Sequence, residues 1–134
     1  MRVGILSVVV LMSCGPSLSV VTSPLNSSCA LATDIYVSEA TLRSKEGQCP
    51  KAKNHSRDRL EFDEGVFVSP AAAFVPCTTQ QAECTITVTC RAFAQKMVFT
   101  GEIMDEGARL AGVVTFTGEP DCTSRVYDME ATRP

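Results

Sequence analysis

From Cys84 to Cys90 the chain alternates strictly, with Cys84, Ile86, Val88 and Cys90 on one face and Thr85, Thr87 and Thr89 on the other. A period of two puts successive side chains on opposite faces of a strand, so this is a half-buried strand with its cysteines on the core side. Met97 to Thr117 repeats the pattern twice around Asp105-Glu106-Gly107-Ala108. With Glu106 and Gly107 as the central turn residues, Ile103 faces Leu110, Phe99 faces Val114 and Met97 faces Phe116, all on one side. The same register sets Gly101 opposite Gly112, where missing side chains leave room for a neighbour or for bending of the sheet. After a turn at Glu119-Pro120-Asp121, residues Asp121 to Thr132 form a last strand, with Tyr127, Met129 and Ala131 set against Val126, Asp128 and Glu130.

The first half alternates less cleanly. Asp34 to Arg43, led by Ile35, Tyr36 and Val37, reads as a first strand, with a helix over Val37–Lys45 as its competitor. Ser44 to Arg59 reads as a polar loop holding Cys49 and Pro50. Leu60 to Ser69 alternates as far as Gly65 and then shifts, as either one bulged strand or a tight hairpin. Asp63 and Glu64 are neighbours, so on a strand they point apart and form no carboxylate pair. Pro70 to Pro76 is apolar but short and bounded by prolines. Short strands separated by turns describe an all-β domain over 34–132, a small antiparallel meander curled or closed like a barrel. Its shape is loosely similar to the second half of a lipocalin-type barrel, without that family's signature motif.

The first fourteen residues follow another grammar: Arg2, an apolar run from Val3 to Met12, the small Ser13, and Cys14. A basic start, a short apolar stretch and a small residue make a secretory signal over 1–13. The run is too short to span a bilayer core, which takes about 20 residues. A buried N-terminal strand over Ile5–Met12 is the alternative. Leu11-Met12-Ser13-Cys14 resembles the lipobox of bacterial lipoproteins. That resemblance implies acylation of Cys14 (palmitate among the chains), removal of the leader and a membrane anchor. With Gly15 following the cysteine, it further implies the outer membrane. Gly15 to Ser28 holds Pro16, Pro24 and five serines, so 14–33 reads as a lipidated terminus and flexible tether. Cleavage after Ser17-Leu18-Ser19 would release a soluble protein instead.

Seven cysteines occur: Cys14, Cys29, Cys49, Cys77, Cys84, Cys90 and Cys122. Setting Cys14 aside leaves six, enough for three disulfides, and disulfides belong to an oxidising compartment. A strand from Cys84 to Cys90 separates their Cα atoms by about 20 Å, so they do not pair with each other. The polar stretch Thr78–Glu83 between Cys77 and Cys84 points to a local loop closed by those two, sending Cys90 to Cys29, Cys49 or Cys122. Six cysteines nevertheless allow fifteen pairings, and spacing does not choose among them.

Composition narrows the function by exclusion. Twelve Lys and Arg stand against fifteen Asp and Glu, for a net charge of −3, and without Trp or a dominant basic footprint nucleic acid is not an expected partner. Lys51, Lys53, Arg57 and Arg59, with the single histidine His55 among them, form either a solvated loop or an anion- or headgroup-binding patch. No cofactor, metal spacing or acid–base pair is read, and catalysis is not expected. The reading is therefore a lipid-anchored envelope lipoprotein with a structural or binding role, held at the membrane and with an envelope protein as a further partner. One alternative is a carrier of a small apolar ligand, its cavity opened by Gly101 and Gly112 and lined by Phe99, Val114 and Phe116. For so short a meander, a core filled by its own side chains is the simpler expectation. The other alternative is a secreted disulfide-rich inhibitor or effector, for which Asn26-Ser27-Ser28 and Asn54-His55-Ser56 would be glycosylation sites.

Overall fold

The computed structural model describes residues 29–31, 34–68 and 75–134. The leader, Cys14, Gly15–Ser28 and most of the Pro70–Pro76 stretch lie outside the described residues.

Eight antiparallel strands make up the domain: β1 Asp34–Gly47, β2 His55–Asp63, β3 Val66–Val68, β4 Cys77–Ala82, β5 Thr85–Ala92, β6 Gln95–Met104, β7 Arg109–Glu119 and β8 Cys122–Thr132. They form one sheet in the order β3-β2-β1-β8-β7-β6-β5-β4. The sheet curls until its two edges meet, giving a nearly closed barrel. Across the seam the Phe67 N–H donates to Thr79 Oγ1 at 2.9 Å. Closure matters because an open edge leaves a row of unpaired backbone groups.

The β6–β7 hairpin has the register read from its turn: Met97 opposite Phe116, Phe99 opposite Val114, Gly101 opposite Gly112 and Ile103 opposite Leu110. Gly107 takes φ +89°, and Asp105 and Glu106 share the left-handed region with it. Leu60–Ser69 resolves into a hairpin, with Asp63 opposite Val66 around Glu64-Gly65. The first strand runs further than its apolar residues suggested, to Gly47, and β2 begins at His55. The polar loop expected over Ser44–Arg59 is therefore only 48–54. These strand ends lie near the barrel's mouth, where an inward side chain meets no packed core, so the apolar alternation that marks a strand is missing.

The cysteine pairing corrects the expectation of a Cys77–Cys84 loop. Cys29 bonds Cys84, Cys49 bonds Cys122 and Cys77 bonds Cys90. The stretch after Cys77 is no loop but strand β4, which sets Cys77 directly opposite Cys90, with Cα atoms 4.0 Å apart. Cys84 sits in the β4–β5 turn at the other end of that hairpin, out of reach of Cys77. As expected, Cys84 and Cys90 do not pair with each other. Three disulfides mark an extracytoplasmic protein.

One end of the barrel is a floor. Residues 29–31 cross it, with Cys29 and Leu31 buried, the Cys29 carbonyl accepting from Gln81 Nε2 at 2.9 Å. The Ala30 carbonyl packs against Gly107, where a Cβ would lie 2.6 Å from it. Tyr36 donates from its hydroxyl to the Gly107 carbonyl at 2.6 Å. Above the floor Tyr36, Ile86, Ile103, Leu110 and Ala131 are all buried and fill the lower half of the barrel.

Candidate functional site

The upper half is not filled. A cavity of about 330 Å³ opens there, lined by inward residues of β1, β2, β3, β5, β6, β7 and β8 together with Lys51 and Lys53. This corrects the expectation of a core packed throughout. The reason is local: Ser38 and Ala40 on β1 and Ser56 on β2 bring small side chains to facing positions. The opposite wall leaves the gap unfilled.

The walls are mainly apolar, with Leu60, Phe62 and Phe67 on one side and Met97, Phe99, Val114, Phe116 and Met129 on the other. Phe62 packs edge-on against Tyr36 and Phe67, ring centroids 5.7 Å apart in both pairs. The Tyr36 hydroxyl is pushed above its ordinary range, chiefly by burial. Ser38, buried at 4% exposure, donates to the Asp58 carbonyl at 3.2 Å and so brings no unsatisfied group to the cavity.

Of the residues that sequence reasoning assigned to an apolar-ligand site, Phe99, Val114 and Phe116 line this cavity and the two glycines do not. Gly101 is occupied by the ring of Phe99, which would lie 2.5 Å from a Cβ there; a Cβ on Gly112 would meet the Thr100 carbonyl oxygen at 2.2 Å. The glycine pair allows close packing and opens no notch. Cys14 lies outside the described residues.

A charged group closes one side of the mouth. Arg125 stacks over Phe116, 4.1 Å from the ring centroid, and grips Glu119 through Nε and Nη2, both at 2.7 Å. Its Nη1 donates to the Tyr127 hydroxyl at 2.7 Å. Both members of the pair are largely buried, at 13% and 9% side-chain exposure. The Arg125 fork holds the Glu119 carboxyl below its ordinary range, and Lys51 adds to the effect.

The basic stretch is split by the fold. Lys51 and Lys53 reach the cavity rim, while His55, Arg57 and Arg59 alternate onto the exposed outer face of β2. His55 lies 3.7 Å from Glu39 there. The rim loop itself is fixed: Cys49 is bonded to Cys122 and its N–H donates to the Asp121 carbonyl at 2.9 Å, while the Ala52 N–H donates to the Cys49 carbonyl at 3.0 Å. Sequence reasoning missed Arg125, Lys51 and Lys53 as cavity residues. Only the two-residue spacing of the lysines, which sends both to one side of an extended segment, carried a signal. Comparison with family models, with curated proteins and with solved structures finds no match.

Proposed function

We propose that this chain is a lipid-anchored envelope protein whose barrel binds a small apolar ligand. The observation that carries the binding role is the unfilled upper half of the barrel. Protein interiors are otherwise packed as densely as organic crystals. A volume of about 330 Å³ falls at the lower end of the ~300–1,000 Å³ common to ligand pockets, and an apolar wall with a few polar groups is their usual chemistry. The anchor rests on the lipobox-like Leu11–Cys14 and on the cysteine count. The six cysteines among the described residues are joined in three pairs, so the reading of Cys14 as the acylated residue takes no cysteine from the covalent framework.

Native mass spectrometry of the protein released from membranes in mild detergent tests the binding role. A discrete non-covalent adduct is expected, absent from a Val88→Phe variant whose added ring occupies the cavity; an adduct-free protein would remove the carrier reading. Labelled palmitate tests the anchor, with incorporation expected in the native chain and none in Cys14→Ala. Equal solubility and no label in either form would leave a secreted soluble protein.

A further inference from the structure

The cavity's charges narrow its ligand to one class. We infer that it takes a single-chain amphiphile with a monoanionic head, its chain in the apolar cavity and its head between Lys51 and Lys53. This rests on the reading of the cavity as a ligand site.

Polarity in the lining is graded. Phe62, Phe99, Val88 and Val114 are buried, whereas the charged lining residues Lys51, Lys53 and Asp58 are exposed. Charge at this rim does not cancel. Arg125 is taken up by Glu119, through two hydrogen bonds at 2.7 Å. Lys51, Lys53 and Asp58 form no ion pair within 4 Å among the described residues, Lys51 acting on Glu119 only from a distance. With Arg125 and Glu119 set against each other, two cations therefore face one carboxylate among the residues that line the cavity, a local excess of one positive charge on a chain whose net charge is −3.

A neutral ligand would leave that excess unanswered, and a cationic one would be repelled by it. A monoanion matches it. The volume, about 330 Å³, suits one medium-length chain, not the paired chains of a bilayer lipid. The backbone that carries the lysines is also held in place: the rim loop is tied at Cys49 to Cys122, and its far end is tied where the Leu42 N–H donates to the Asn54 carbonyl at 2.9 Å. Less ordering then remains to be done on binding.

Calorimetric titration of the full-length protein, stripped of bound lipid, with decanoate, decanol and decyltrimethylammonium below their micellar concentrations tests this. Decanoate is expected to bind about tenfold more tightly than decanol, the size of a charge-assisted contact, and the cation more weakly than either. In the Lys51→Gln/Lys53→Gln double variant the preference for decanoate over decanol should vanish while decanol affinity holds, a control that shows the barrel intact. Equal affinity of the native protein for decanoate and decanol would overturn the headgroup assignment and leave the cavity reading standing. Binding of none of the three would remove both.

Discussion

Phe99 folds its ring over Gly101 so closely that a Cβ at that position would lie 2.5 Å from Phe99 Cζ. The ring also forms part of the cavity wall, which couples strand geometry to cavity shape. Gly101→Ala should destabilise the domain by about 1–3 kcal/mol, the range for forced overpacking, measured by urea unfolding. It should also weaken ligand binding as the ring is driven into the cavity. A Cβ at Gly101 would also meet the Ala111 carbonyl oxygen at 2.6 Å, but Gly112→Ala should be worse for stability, because its nearest obstacles are all backbone and closer, the Thr100 carbonyl oxygen at 2.2 Å and Gly101 Cα at 2.5 Å.

Two inward alanines on neighbouring strands separate the filled half of the barrel from the open half. Ala131 of β8 is fully buried above the floor, whereas Ala40 of β1 faces the cavity. Ala131→Leu should cost about 1–3 kcal/mol by overpacking. Ala40→Leu should be neutral or stabilising, since the added methyl groups enter existing space, each apolar carbon buried being worth about 0.8 kcal/mol. Thermal denaturation of the two variants reads the difference directly.

The disulfides differ in what they constrain. Cys77–Cys90 closes a separation of 13 residues, against 55 for Cys29–Cys84 and 73 for Cys49–Cys122. On loop-closure entropy the first contributes about 3 kcal/mol and the other two about 4 kcal/mol each. Paired Cys→Ala replacement should therefore lower the urea midpoint least for Cys77/Cys90. Loss of Cys49/Cys122 carries a second effect, because it frees the loop that places Lys51 and Lys53 and should weaken anion binding beyond the loss of stability.

Acid should act through Glu119. Its folded-state pKa is depressed, first by the hydrogen bonds from Arg125, so the stability it contributes is present above the ordinary glutamate range and is lost as pH falls through the depressed value. Native protein should lose stability below about pH 4, with Glu119 one component of that loss. Glu119→Gln should remove that component and cost about 1–3 kcal/mol at neutral pH, because the Arg125 guanidinium loses the charged acceptor of its hydrogen bonds. A pH series of urea midpoints for the two proteins checks both statements.

How much of this was legible beforehand follows the position of each residue in the barrel. Ile103 and Leu110 flank a glycine turn and alternate against polar neighbours, so the β6–β7 register could be worked out residue by residue, and it agrees with the structure. Strand β4 could not be read the same way. Cys77–Ala82 lies at the barrel seam with largely exposed side chains, so its threonines and glutamines resemble a loop, and the Cys77–Cys90 pairing was hidden with it. The cavity was only half visible. Phe99, Val114 and Phe116 stood out as inward residues, but an unfilled volume depends on what faces them, and Ser38, Ala40 and Ser56 lie far away in sequence. Arg125 sits on the same face of β8 as Tyr127 and Met129, where the apolar pattern gave no reason to look for a charge.

The floor gives the barrel a direction. Cys29–Leu31 and Arg133 both belong to it, with the Arg133 N–H donating to the Ala108 carbonyl at 3.0 Å and its side chain 2.6 Å from Asp34. Mouth and rim belong to the opposite end, built from 48–54 and the Ala92–Gln95 and Glu119–Cys122 turns. Changes to those connections can alter what the cup accepts without disturbing either described end of the chain. The same polarity makes the domain a natural scaffold, on which a fusion or surface attachment at the base leaves the open end unobstructed and its loops free to be diversified.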